Sequence, residues 1–122
     1  MPQAHHDFLK SLPIKYQAAK CLFVHAGIRP GVPLSRQTDE DMMWIRADFH
    51  KDRADHGPLI IHGHTPVEVP THYGNRVNLD TGAAYDGPLT AAVIEDGAVW
   101  ILTDEGREPL PAPKKSRWRL GF

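Results

Sequence analysis

Apolar and polar residues follow one another along this chain in patterns that predict mainly β-structure. Residues 21–24 and 59–61 are continuous apolar runs, as in strands that are buried on both faces. Residues 76–79 alternate between polar and apolar, which predicts a strand with one buried face. Two further apolar runs, at 89–94 and 98–102, flank an Asp-Gly pair and predict a β-hairpin. The chain is therefore expected to contain at least four strands.

A helical pattern covers one segment of the first half. Three apolar residues recur there at the spacing of one helix face: Met42, Ile45 and Phe49. Thr38 precedes three acidic residues, which is typical of a helix start. These residues predict one main helix over about 39–50. A shorter helical pattern at 7–12 ends at a proline.

Both continuous apolar runs end in a histidine that is followed closely by glycine. His25 follows the first run, and His62 and His64 flank a glycine after the second. Because ligands bind beyond the carboxyl ends of strands in open α/β sheets, we expect His25 and His64 to place two nitrogen donors side by side, as in a metal site. The other interpretation of His64 is a hydrogen bond that caps the strand end. His62 is out of phase with His64, so their side chains are expected to point to opposite sides.

Two other residues have both a chemical and an ordinary interpretation. Arg46, beside Trp44, is either a solvated charge or a guanidinium that binds phosphate through paired hydrogen bonds. Asp80 is either a carboxylate ligand or a turn residue that bonds nearby backbone N–H groups. The remaining histidines lie in polar surroundings and are expected at the surface: His5, His6, His50, His56 and His72.

Composition limits the kinds of protein to be considered. The 122 residues are 41% hydrophobic and 24% charged, as in a single globular domain. A net charge of −1 argues against nucleic acid as the main partner. No apolar run has the roughly 20 residues of a membrane helix, and the start does not resemble a signal peptide, so we expect no membrane partner and a cytoplasmic location. The single cysteine, Cys21, cannot form an intrachain disulfide.

Four motifs, taken in order, resemble a known family. They are Phe-Val-His-Ala-Gly-Ile-Arg-Pro-Gly at 23–31, Trp-Ile-Arg at 44–46, Ile-His-Gly-His-Thr-Pro at 61–66 and Asn-Leu-Asp-Thr-Gly-Ala at 78–83. Together they resemble the C-terminal half of bacterial calcineurin-like metallophosphoesterases, over roughly residues 8–102. The resemblance is to the serine/threonine protein phosphatase type, with symmetrical dinucleoside tetraphosphatases as near relatives.

The resemblance implies a fold, two metal ions and residue roles. The fold would be mixed α/β (α+β), the C-terminal part of a four-layer α/β/β/α sandwich, β-rich with one main helix. Residues 1–104 would form this portion, and 105–122 a Pro-rich basic tail. The intact family binds two divalent ions, manganese or iron, and His25 and His64 would be metal ligands while Arg46 would hold substrate phosphate. The implied activity is hydrolysis of phosphate monoesters, as in a phosphoprotein phosphatase, by metal-activated water.

The family's first three motifs, Asp-x-His, Gly-Asp-x-x-Asp-Arg-Gly and Gly-Asn-His-Glu, do not precede the four matched motifs in this sequence. At most one partial metal site is therefore expected, and the isolated chain is expected to be inactive. The expected substrate is a phosphorylated protein or a small phosphoester, and the expected partner is a missing N-terminal half or a second copy of the chain. Two alternatives stay open: an incomplete remnant that acts as a binding or regulatory module, and part of a dinucleoside tetraphosphatase.

Overall fold

The structure is a computed structural model and describes residues 1–114. Its helices are α1 (Gln3–Ser11), α2 (Asp39–Trp44) and α3 (Ala47–His50), with 3-10 turns at Leu34–Arg36 and Ala83–Tyr85. Its strands are β1 (Lys15–Ala18), β2 (Cys21–Val24), β3 (Leu59–His62), β4 (Thr71–His72), β5 (Arg76–Asn78), β6 (Ala92–Glu95), β7 (Ala98–Thr103) and β8 (Gly106–Pro109). The predicted mixed α/β, β-rich fold is confirmed.

Five strands form the first sheet, in the order β1-β2-β3-β5-β4. Its centre is parallel, because β3 pairs in parallel with β2 on one side and with β5 on the other, while β1 and β4 are antiparallel edges. The carboxyl ends of β2, β3 and β5 therefore meet at one edge of the sheet. His25 directly follows β2 and Gly63 directly follows β3, so the chain segments with the candidate histidines start from this edge.

The second sheet is an antiparallel meander of β6, β7 and β8. Asp96 and Gly97 have positive φ angles of 49° and 85° between β6 and β7, which confirms the predicted hairpin. β8 lies inside the segment predicted as a tail and pairs with β7. Residues 115–122, which include Lys115, Arg117 and Arg119 of the basic segment, lie outside the described part of the chain.

The core lies on both faces of the five-stranded sheet. On one face, β2 and β3 pack against the short helices, in a cluster of Leu22, Val24, Ala26, Ile28, Met42, Ile45, Phe49 and Ile60. On the other face, Cys21, Ile61 and Val77 pack against Val99 of the second sheet. Residues 1–114 thus form three layers in the order α, β, β, which is consistent with part of an α/β/β/α sandwich.

The segment predicted as one helix over 39–50 is two helices, α2 and α3, so this prediction is wrong in detail. Thr38 does cap the start of α2, accepting a hydrogen bond from the Asp41 N–H at 3.1 Å. Ile45 then takes extended backbone angles, φ −60° and ψ 145°, which end α2. No glycine or proline marks this break, and the buried residues keep their helical spacing across it. The one main helix among the described residues is α1, with nine residues.

The first 18 residues contribute little to the core. None of the residues of α1 is buried, and apolar side chains such as Phe8 and Leu9 are exposed. The edge strand β1 is exposed over three of its four residues. None of the helices in the described part of the chain has the length and apolar character that a membrane crossing requires.

Candidate functional site

His25 and His64 meet at the carboxyl edge of the five-stranded sheet. The Nε2 atom of His25 lies 3.1 Å from the Nδ1 atom of His64, and the ring centroids are 4.9 Å apart. A backbone hydrogen bond holds the two segments together, because the Gly63 N–H donates to the His25 carbonyl at 2.8 Å. The structure therefore brings together the two residues that the sequence predicted to converge, although β2 and β3 are separated by 34 residues of chain.

His64 has an unusual backbone conformation. Its φ angle is +73°, in the left-handed region that costs a residue with a side chain about 1–2 kcal/mol. The Trp44 ring packs edge-on against the imidazole, with the centroids 5.7 Å apart. The His64 Nε2 atom is buried and has no hydrogen-bond partner among residues 1–114. A strained backbone and a buried nitrogen without a partner are typical of a functional residue.

The surroundings of His64 favour its neutral form. Burial lowers the pKa of this imidazole, and the charge of Arg46 and the His25 ring lower it further. The Asp80 carboxylate acts in the opposite direction, as a smaller contribution to the same pKa. The neutral imidazole is the form that binds a metal ion. The lowered pKa of His64 therefore favours this form at neutral pH.

Asp80 lies beside this site as a turn residue. Its Oδ1 atom accepts a hydrogen bond from the Gly82 N–H at 3.0 Å, as in the turn interpretation of Asp-Thr-Gly. The carboxylate also packs against Gly63, where an added Cβ would lie 3.1 Å from the Asp80 Cβ. A larger residue at position 63 would therefore require Asp80 to shift by a few tenths of an ångström.

Arg46 lies at the break between α2 and α3, with an exposed side chain. Its charge lowers the pKa of both His64 and His50, which places it on the side of the molecule where these imidazoles lie. Phosphate binding by Arg46 remains a prediction. The position of Arg46 relative to His64 therefore depends on the break between α2 and α3.

The donor set fits part of a metal site. Two nitrogens bound at right angles to one ion, each at about 2.1 Å, would be about 3.0 Å apart, close to the spacing of His25 and His64. Within residues 1–114, however, no group of three or more His, Cys, Asp or Glu residues is arranged to hold a metal ion. Two nitrogen donors are fewer than the six ligands that an octahedral ion such as Mn²⁺ requires. Metal binding by His25 and His64 stays a prediction.

A second polar cluster lies on the helix side of the sheet, where the sequence pattern did not indicate one. Arg76 is 4% exposed, and its Nη1 atom lies 3.0 Å from His62 Nε2. Its guanidinium stacks on the Tyr73 ring, 3.7 Å from the centroid. The His50 ring stacks on the His62 ring at 5.7 Å. His62 thus lies in the core, with different neighbours from those of His64.

The expectation of surface histidines is correct for two of the five. His5 and His6 are exposed, whereas His50, His56 and His72 are half-buried. The sequence shows His50 and His56 only as polar residues near a helix end. Both are near the buried side chain of Phe49, whose ring centroid lies within 6.3 Å of both imidazole centroids. The packing of Phe49 in the core therefore brings His50 and His56 close to the sheet.

No protein-family model matches this chain, and no solved structure matches it. Three curated proteins with the name bis(5'-nucleosyl)-tetraphosphatase PrpE [asymmetrical] are similar to parts of it. The protein from Geobacillus thermodenitrificans is 41% identical over 58 residues, which is 48% of this chain and 23% of that protein. The Anoxybacillus flavithermus protein is 48% identical over 48 residues, 38% of this chain and 19% of that protein. The Bacillus thuringiensis protein is 53% identical over 32 residues, 26% and 13% of the two chains.

The chain thus spans less than a quarter of the length of these curated relatives. Over about half of its own length it is similar to proteins named as bis(5'-nucleosyl)-tetraphosphatases. These relatives are named as asymmetrical tetraphosphatases, whereas the motif resemblance was to serine/threonine protein phosphatases, with symmetrical tetraphosphatases as near relatives.

Proposed function

We propose that this chain supplies two histidine ligands to the metal centre of a calcineurin-like phosphoesterase. The observation that carries this proposal is the 3.1 Å separation of His25 Nε2 and His64 Nδ1 at the carboxyl edge of a parallel sheet. The similarity to proteins named as tetraphosphatases supports a hydrolase that acts on phosphate esters.

Each residue then has a distinct task. His25 and His64 would hold a divalent ion, Mn²⁺ or Fe²⁺, which when bound supplies a Lewis acid and lowers the pKa of its water. Arg46 would bind substrate phosphate oxygens through paired N–H donors. Trp44, packed on the His64 ring, would keep water away from one side of that imidazole.

The relatives favour one substrate class over the other. Their names indicate dinucleoside tetraphosphates, and on this basis we place such substrates first for this chain. The motif resemblance to serine/threonine protein phosphatases supports a phosphorylated protein as the second candidate. Both are phosphate esters that Arg46 can bind in the same way, so the choice depends on residues further from the metal.

A catalytically incomplete binding module is the alternative function. It is favoured because residues 1–114 contain no group of three or more His, Cys, Asp or Glu residues arranged to hold a metal ion. Such a module would bind a metal ion or a phosphate weakly and would hydrolyse nothing, alone or in combination.

Calorimetric titration with Mn²⁺ tests the metal site. The chain is expected to bind Mn²⁺ weakly, and His25→Ala and His64→Ala are each expected to reduce the affinity by at least about tenfold. His5→Ala, which removes an exposed histidine of α1, is the matched control and should change nothing. Equal Mn²⁺ binding by His64→Ala and the unaltered chain would contradict the assignment.

A mixing experiment tests the activity. The chain, Mn²⁺ and the part of the Geobacillus thermodenitrificans protein that it does not match are combined, and a dinucleoside tetraphosphate, a phosphoserine peptide and an aryl phosphate are compared as substrates. We expect the dinucleotide to be hydrolysed fastest, and Arg46→Ala to lower turnover by about a hundredfold. Turnover that Arg46→Ala leaves unchanged would rule out its phosphate-binding role. Mn²⁺ binding without any turnover would favour the binding module.

A further inference from the structure

Two buried polar side chains of β5 have no task in the proposed chemistry. Arg76 and Asn78 occupy alternate positions of the strand and are 4% and 2% exposed. Arg76 has no carboxylate partner among residues 1–114, and a buried charge is costly unless it is well bonded. Both side chains belong to the same face of the sheet as His62, since Asn78 is paired with His62 in the parallel register.

Arg76 acts on the peptide group before His64 through His62. A guanidinium can only donate, so the His62 Nε2 atom must accept the hydrogen bond from Arg76 Nη1 at 3.0 Å. The ring proton of His62 is then on Nδ1, which donates to the Gly63 carbonyl at 3.2 Å. The chain of contacts from Arg76 thus ends on the carbonyl oxygen of the peptide that joins Gly63 to His64.

Asn78 acts on the chain one residue beyond His64, at the peptide that joins Thr65 to Pro66. Its Nδ2 amide donates to the Thr65 carbonyl at 2.8 Å. Its Oδ1 atom accepts from the Asp80 N–H at 2.9 Å, which fixes the orientation of the amide. The carbonyls of Gly63 and Thr65, the residues before and after His64 in the sequence, are therefore both bonded by side chains that β5 positions.

These two restraints bear on the left-handed backbone of His64. A φ angle of +73° requires the peptide plane between Gly63 and His64 to be turned away from the orientation that β3 would continue. We propose that Arg76, through His62, and Asn78 are positioning residues that hold His64 in this conformation and so aim its Nδ1 atom at His25 Nε2. The use of the aligned pair rests on the proposed function, whereas the backbone restraint does not.

The Asn78→Asp variant isolates one restraint. Aspartate keeps the shape of asparagine and the acceptor for the Asp80 N–H, but it cannot donate to the Thr65 carbonyl. Asn75→Ala is the matched control, because Asn75 also donates from its amide to two backbone carbonyls, those of Asp52 and Ala54, at the other end of β5. Both variants are made in the full chain.

Arg76→Met and Arg76→Lys test the other restraint. Methionine removes the donors to His62, whereas lysine keeps a cationic donor of similar length. Nitrogen NMR of the imidazole rings should show Nε2 of His62 as the unprotonated atom in the unaltered chain. We expect this signature to be lost in Arg76→Met and recovered in Arg76→Lys.

Two readouts decide the proposal. The coupling between the amide and α protons of His64 reports its φ angle, and calorimetry reports Mn²⁺ affinity. We expect Asn78→Asp and Arg76→Met to change the coupling and to weaken Mn²⁺ binding by at least about tenfold, while Asn75→Ala changes neither. Loss of stability alone would appear in Asn75→Ala as well.

Two outcomes distinguish a failure of the positioning role from a failure of the proposed function. If Asn78→Asp and Arg76→Met leave the His64 coupling as it is in the unaltered chain, the positioning role is wrong. If the unaltered chain does not bind Mn²⁺, the proposed function fails, but the coupling still tests the backbone restraint. A changed coupling in both variants and an unchanged one in Asn75→Ala would support it in either case.

Discussion

His62 and His64 are two residues apart and have opposite environments. His62 ends β3, is 4% exposed, and is enclosed by Phe49, His50 and Arg76. His64 lies beyond the strand in a left-handed conformation and faces the exposed His25. The comparison shows that a histidine at a strand end takes its role from the residues around it. One imidazole here is a structural hydrogen-bond acceptor, and the other is a candidate ligand.

Both imidazoles are kept neutral, by causes of different strength. The pKa of His62 is lowered to about 3, with burial as the largest cause. The hydrogen bond to the Gly63 carbonyl acts against this shift, and the charge of Arg76 adds to it. For His64, burial also lowers the pKa, with Arg46 as the next cause. His62 therefore stays neutral over the whole range in which proteins are usually studied, because its charged form would be buried beside a guanidinium.

The largest expected effect is the acid sensitivity that His62 confers. Its pKa is about 3 in the folded chain and 6.5 when unfolded, so between these values the unfolded chain binds a proton that the folded chain does not. The free energy of unfolding should therefore fall as the pH drops from about 6.5 towards 3, by about 5 kcal/mol in total from this group. Urea unfolding at a series of pH values measures it.

The control for this profile is the double variant His62→Leu with Arg76→Met, which removes the titrating group together with the cation beside it. Its free energy of unfolding should depend less steeply on pH over the same range. An unchanged slope would show that other groups cause the acid sensitivity.

The next effect concerns the loss of His62 alone. His62→Leu should lower the free energy of unfolding by about 3 kcal/mol, because the buried Arg76 guanidinium loses its side-chain acceptor. Adding Arg76→Met should recover part of this loss, since removal of both partners leaves no unsatisfied donor. Urea unfolding at neutral pH measures both. A double variant less stable than His62→Leu would contradict this account.

The smallest effect distinguishes the two backbone conformations. At position 64, glycine should be more stable than alanine by about 1 kcal/mol, because only glycine adopts a left-handed conformation without cost. At position 62, within β3, alanine should instead be more stable than glycine by about 0.5–1 kcal/mol. Thermal unfolding of the four variants measures these differences. The same order at both positions would contradict the left-handed conformation of His64.

The convergence of His25 and His64 could be predicted because parallel strands deliver their carboxyl ends to one edge. The Asp96-Gly97 hairpin could also be predicted, because its turn chemistry is local. The burial of Arg76 and Asn78 could not, because a polar position alternating with apolar ones has the same pattern whether water or a helix covers it. The left-handed His64 was equally hidden, since histidine does not indicate a positive φ as glycine does.

The helix break at Ile45 could not be predicted from the sequence either. Met42, Ile45 and Phe49 are all buried in one cluster, so the hydrophobic pattern is satisfied with or without a continuous helix. The extended backbone of Ile45 ends α2, and no residue type near it indicates this end.

The one cysteine of the chain can report how often the two sheets separate. Cys21 is fully covered between the two sheets, and burial raises the pKa of its thiol, so it is unreactive while the layers stay together. A thiol reagent can reach Cys21 when the three-stranded sheet separates from the five-stranded sheet. The rate at which the folded chain becomes labelled therefore measures how often the sandwich opens.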